Sequence, residues 1–247
     1  MNYCDKIKYR ICAAERAGFA EMVDVLLSRL PADENILRLV FIGMPVSNEE
    51  YDQRRSIIRD KVKTCFGTKQ PSVSYVAQPP LRGALLLEVH SYKSDETDVV
   101  SYRENGELPY VVLENQEGRF LFAGGFQDDF INKTIEAQSA DVFSQVNDLL
   151  AKEGFPVNSI VRQWNYIEKI TGFCGEYQNY QAFNDARASF YEETMWPEGY
   201  PAATGIGAHW GGIVIDLDAV VFKQDDCSAS PIDNKLQVAA HAYSDQV

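Results

Sequence analysis

Arg162, Trp164 and Tyr166 alternate along Val161-Arg-Gln-Trp-Asn-Tyr-Ile167, and a second arginine, Arg187, follows Tyr180 and Phe183 at helical spacing. Guanidinium groups and phenols brought together suit a small anion, because paired charge-assisted hydrogen bonds grip a carboxylate while aromatic faces pack its ring. A third segment, Pro201-Ala-Ala-Thr-Gly-Ile-Gly-Ala-His-Trp-Gly-Gly212, adds glycine-rich backbone whose amides can meet an oxyanion. The candidate binding set is therefore Arg162, Tyr166, Tyr180 and Arg187 with Thr204, Gly205 and Gly207.

Three elements must position these groups. Alternation over 161–167 predicts a strand with Arg162, Trp164 and Tyr166 on one face and Gln163 and Asn165 on the other. Polar groups on both faces are unusual for a plain core strand. Tyr180, Phe183 and Arg187 share one side of a helix, a stripe that by pattern alone is more often core than site. Gly205 and Gly207 weaken a strand interior and mark a place of close approach, whereas Gly211-Gly212 reads as a hairpin turn.

The Arg-x-Trp-Asn-Tyr strand, the Tyr-x-x-Phe-x-x-x-Arg helix and the Pro-Ala-Ala-Thr-Gly-Ile-Gly-Ala-His-x-Gly-Gly strand, in this order, resemble the chorismatases, relatives of the RidA/YjgF fold. The resemblance extends back to Pro71-Ser-Val-Ser-Tyr-Val-Ala-Gln-Pro-Pro-Leu81 and forward to Pro231-Ile-Asp-Asn-Lys-Leu-Gln-Val238. It implies hydrolysis of the enolpyruvyl ether of chorismate or a similar cyclic carboxylate, with release of pyruvate. It also implies units strung into a pseudo-trimer with clefts between neighbours. The acid that protonates the enolpyruvyl group comes, in that family, from the last unit, and the resemblance gives it no counterpart here. Either the chain is a fragment, or it takes a third wall from another subunit as a homo-oligomer. Ala203 stands where the generic RidA motif has a carboxylate-gripping arginine, which disfavours imine deamination.

A chain of 247 residues, 45% hydrophobic, can bury one large core or two small ones. With no apolar run long enough to span a bilayer and no signal-peptide core at the N-terminus, the expected location is cytoplasmic. A net charge of −13 excludes nucleic acid and anionic lipid as partners and requires local arginines for any anionic ligand. Five scattered cysteines and three distant histidines form no metal spacing, and no cofactor motif is present, so neither metal nor cofactor is expected.

Hydrophobic periodicity repeats one order of elements twice, β-α-β-α-β-β, and the separations Leu27–Leu150, Val40–Asn165, Pro71–Pro201 and Glu88–Asp218 differ only by loop-sized steps. The expected fold is α+β: two tandem RidA/YjgF-like (chorismate-mutase-like) units, each a mixed sheet with helices on one face. Residues 1–95 form a degenerate first unit and 96–118 a connector with some β structure. Residues 119–223 form the second unit, and 224–247 a tail leading toward a third. Asp216 and Asp218 share a strand face and serve as acid or base only if one is buried; a solvated or edge-strand role is the default, and Glu168 is a second candidate, similarly weak. The competing function is a RidA-like binding or assembly module without turnover.

Overall fold

A computed structural model describes residues 6–230 except 193 and 198, so Cys4, His241 and the tail beyond 230, with its motif at 231–238, lie outside the described residues. The elements form where periodicity and capping place them. After β1 (Ile7–Ala14) and α1 (Phe19–Leu27), the apolar run at Ile36 becomes β2 (Asn35–Gly43). Ser47 Oγ accepts the Glu50 N–H at 3.2 Å to open α2 (Asn48–Phe66), and the Glu50 carboxylate reaches back to the Val46 N–H at 2.6 Å. Then come β3 (Ser72–Ala77) and β4 (Leu85–Tyr92).

Next follow β5 (Val99–Asn105), β6 (Leu108–Glu114) and β7 (Gly118–Phe126), and Thr134 caps α3 (Ile135–Glu153). The left-handed Gly154 ends that helix, with Phe155 N–H donating to Leu150 O at 2.9 Å and its ring entering the core. The chain continues through β8 (Ile160–Glu168), a short hairpin of β9 (Phe173–Cys174) and β10 (Tyr177–Gln178), and α4 (Asn179–Glu192). It ends with β11 (Ala202–Ala208) and β12 (Ile213–Phe222). Gly211 and Gly212, at φ +98° and +64°, form the turn after β11, but β8 lies between β11 and β12, so this turn carries the chain past the end of β8 and is not the hairpin expected from the sequence.

The protein is α+β, with two mixed sheets. The first has the order β1-β4-β2-β3 and the second β11-β8-β12-β7-β6-β5. Within the second, β7-β12-β8-β11 repeats the order and pairing sense of the first, with one parallel pair at the edge of each. Helices α1 and α2 pack on one face of the first sheet through Met22, Leu26, Tyr51 and Ile58. Helices α3 and α4 cover the second through Val142, Phe143, Val146 and Phe183.

The two remaining faces cover each other: Leu37 and Tyr92 meet Val111, Leu113, Phe120 and Phe122, and Val40 and Val76 meet Tyr166 and Val214. The result is four layers, helix, sheet, sheet, helix.

The ladders bear out the β structure expected in the connector and refine one further expectation. Residues 99–114 are a hairpin that widens the second sheet, Tyr110–Leu113 pairing with Phe120–Ala123; Val111 and Leu113 are needed to cover the inner face of the first sheet. The ladders also move the correspondence between the halves. Arg38 pairs with Ser72 and Arg162 with Ala202, each the first residue of a strand that follows a proline. Counted from there, Val40 corresponds to Trp164 rather than to Asn165, and Glu88 to Asp216 rather than to Asp218. The distinction matters because a one-residue slip reverses the face.

The first sheet is tied at its outer corner by Glu34, which accepts from Arg10 (2.6 and 2.8 Å), Lys8 (2.8 Å) and Ser91 (2.6 Å). Hydrogen bonding to Arg10 holds this carboxyl well below its ordinary value of 4.5, against the opposing effect of burial. A depressed folded value stabilises the fold above the unfolded value, and that contribution is lost as pH falls. Wild type should therefore exceed Glu34→Gln in urea midpoint at pH 7, and the two midpoints should converge as the pH is taken below 4.5.

Candidate functional site

The layer between the sheets is apolar except around one guanidinium. Arg38 is 1% exposed, and its Nη2 donates to the carbonyls of Ala123 (2.9 Å) and Leu217 (2.6 Å) while lying 2.9 Å from Asp218 Oδ1. Those carbonyls take its hydrogen bonds, so the Asp218 contact acts chiefly through charge. Burial would push Arg38 down, yet Asp218 and Asp216 outweigh it and raise its affinity for the proton. The Trp164 ring supports this cation at 4.9 Å and the Arg162 cation at 5.0 Å.

Asp216 corrects an expectation. The solvated role proposed for it fails, because it is 1% exposed between the sheets, where it accepts from Ser74 Oγ (2.5 Å) and Gly125 N (2.8 Å). Burial raises its carboxyl, with Arg38, Ser74 and Gly125 opposing. Glycine is required at 125, where φ is +74° and a Cβ would strike the Val73 carbonyl. Asp218 shares the face of Asp216, partly exposed, and is paired with Arg38. Glu168 is fixed at the β12 entry by Gly212 N (3.0 Å), Asn48 Nδ2 (3.3 Å) and Lys169 Nζ (2.8 Å).

The predicted binding residues separate onto the two faces of the second sheet. Arg162, Thr204 and Tyr166 lie on the inner face, Arg162 Nη2 donating to Thr204 Oγ1 at 2.5 Å. Tyr166 is buried, and its hydroxyl is pushed far above the ordinary value by burial first and by Asp216 next, so it stays neutral.

Tyr180 and Arg187 lie on the outer, helix-covered face. A Cβ at Gly205 would stand 3.3 Å from the Tyr180 ring and one at Gly207 2.8 Å from Ile170, so packed side chains account for the close approach at both glycines. Arg187 sits 6.0 Å from the centre of the buried Phe183 ring. Gln163 and Asn165, the polar pair that made β8 unusual, are buried there and bonded to each other at 2.6 Å, with the Tyr191 hydroxyl on Gln163 at 2.7 Å.

β11 is the edge of its sheet, and Ala202, Ala203 and Gly205 are exposed. A ligand laid along that edge would meet Arg162 and Thr204 on one side and Tyr180 on the other. Among the described residues, no group of three His, Cys, Asp or Glu is placed to hold a metal ion. No helix there is long and apolar enough to cross a membrane.

Comparison with known proteins resolves the family. Residues 87–219, more than half of the chain, match the family described as chorismatase FkbO/Hyg5-like, N-terminal. The chain belongs to the FkbO/Hyg5-like chorismatase family. It is also 39% identical over 79 residues to a chorismatase of Streptomyces rapamycinicus, covering 31% of this chain and 23% of that one. A chorismatase crystal structure at 1.08 Å resolution superposes with a TM-score of 0.56 at 19% identity, over 87% of this chain and 54% of that chain. A YjgF-family protein from Neisseria meningitidis gives a TM-score of 0.37 at 17% identity, over 49% of this chain and 94% of that one. The chain thus spans about half the length of the solved chorismatase that it matches, and less of the curated one.

Within this chorismatase-family chain, sequence reasoning missed Arg38. Its one available signal was a single charge inside the apolar run 36–44. Asp216→Asn tests the polar layer. A carboxyl raised by folding favours the native state at low pH and loses that contribution as pH rises through its folded value. The variant keeps an oxygen for Ser74 and Gly125, so it should gain on wild type in urea midpoint as the pH is raised above 3.8. Arg38→Ala strands both aspartates and should cost about 3–5 kcal/mol, measured by the same unfolding.

Proposed function

We propose that this chain supplies one wall of a cleft that holds a cyclic enolpyruvyl carboxylate of the chorismate class for hydrolysis of its enol ether. One contrast carries the reading. Arg38 and Arg162 occupy corresponding positions, yet Arg38 is neutralised by Asp218 whereas the described residues give Arg162 no carboxylate partner. Arg162 is instead oriented by Thr204 and Trp164 and half-buried beside the open edge of β11. A guanidinium fixed in direction and short of a counter-charge suits a substrate carboxylate, gripped through two parallel N–H bonds. Tyr180, above Gly205, packs the ring from the other side of the edge.

In the reaction, a proton is added to the terminal methylene carbon of the enol ether and water attacks the resulting oxocarbenium carbon. The hemiketal then collapses to pyruvate and the ring alcohol. Arg162 holds the carboxylate through these steps. Three carboxylates are poorly placed to give the proton: Asp216 is sealed between the sheets, Asp218 neutralises Arg38 and Glu168 is fixed in a turn.

Pyruvate release from chorismate, followed with lactate dehydrogenase, tests the reading. Arg162→Gln should lower kcat/KM at least about 100-fold, the loss expected when one partner of a charged, hydrogen-bonded pair is removed. Arg162→Lys should restore only part of it, because lysine lacks the fork. The poor placement of these three acids favours a second reading, a module that binds without turnover. Chorismate would then raise the melting temperature, dependent on Arg162, and no pyruvate would form. Neither pyruvate nor a thermal shift sinks both.

A further inference from the structure

A second arginine cluster lies where α2 and β3 of the first sheet meet β7 and β12 of the second. Tyr51, Arg55, Ile58 and Arg59 follow one another along a single face of α2 and border a cavity of 10 Å³ completed by Val73, Gly125, Gln127 and Val214. Tyr51 and Ile58 are core residues, so the two arginines are directed into the seam with them. Like charges four residues apart on a helix repel, and burial first, then Arg55, lowers the proton affinity of Arg59.

The neutralising groups are weak. Arg55 Nη1 donates to the neutral Gln127 Oε1, its cation lies 5.9 Å from the Phe130 ring, and its buried Nε has no partner among the described residues. Arg59 has Glu107 at 3.6 Å, on a side chain 93% exposed. An ion pair so open to water contributes little. In a chain of net charge −13, a half-buried pair of guanidiniums without a firm counter-ion is a local feature that folding does not require.

We propose that this seam binds a small oxyanion, a phosphate or a carboxylate, between Arg55 and Arg59. The cavity has room for about one water-sized group, so one oxygen of the anion enters it while the rest lies at the mouth. The enclosed oxygen meets Arg55 Nε and the outer ones meet Arg59. The bound anion removes the repulsion across α2 and joins the two sheets near Val214, which pairs with Tyr166, four positions along β8 from Arg162.

Thermal unfolding of the whole chain in inorganic phosphate and, separately, in malonate, at ionic strength held constant with chloride, tests the proposal. A saturable rise in melting temperature with either anion is expected, and which anion produces it identifies the chemistry. Arg59→Gln should raise the half-saturating concentration at least tenfold while being no less stable than wild type without the anion, because it removes a repelling charge. Arg55→Lys, which keeps the charge but loses Nε, should also weaken binding. Arg162→Gln should leave the phosphate response unchanged, and Arg59→Gln should leave any pyruvate release unchanged, so this site and the proposed chorismate cleft stand or fall apart. No saturable rise above chloride, or an equal rise in Arg59→Gln, overturns it.

Discussion

A charge buried between two sheets is costly unless an opposite charge and hydrogen bonds meet it, and that need sets much of this architecture. Arg38 leaves β2 in the first sheet but finds its oxygens on β7 and β12 of the second: the carbonyls of Ala123 and Leu217 and the carboxylate of Asp218. The surrounding layer is apolar, so any displacement of one sheet over the other strips this cation of its partners at a cost far above that of sliding aliphatic surfaces. Asp216 adds a second tie across the same layer through Ser74. Together they fix the relative register of two sheets that hydrophobic burial alone would only hold together.

The same constraint explains why corresponding arginines differ. Arg38 and Arg162 stand at matching ladder positions and both lie against the ring of one tryptophan. Across the antiparallel ladder, His90 lies beside Arg38 and Asp218 beside Arg162. Asp218 nevertheless pairs with Arg38, the arginine of the opposite sheet. A single acid thus neutralises the structural cation and leaves its counterpart at the open edge to other partners.

Local chemistry was legible in the sequence, and contacts distant along the chain were not. Ser47 announced α2 because a cap is a short-range bond, and the alternation around Trp164 announced both faces of β8 because side chains in a strand have a period of two. The family motifs also led to the correct family. Asp216 was misjudged because its burial depends on a sheet from the other half of the chain, which no local pattern encodes. Val99–Asn105 read as connector because its own residues are mostly partly or fully exposed, although it pairs with the buried β6. Tyr180 and Arg187 were grouped with Arg162 by residue type, whereas β11 separates them: Gly205 turns its bare Cα toward Tyr180 while Thr204 turns toward Arg162.

β11 has a consequence of its own. Its sequence, Ala-Ala-Thr-Gly-Ile-Gly-Ala, pairs along one side only, carries no charge and contains two glycines. Such a strand is held by few buried contacts and regains considerable backbone entropy on release, so it detaches more readily than the strands beside it. Its amides should exchange with solvent before those of β8 or β12. The border of the proposed cleft is thereby compliant, able to reshape around whatever lies against it, while the sealed layer behind it stays rigid.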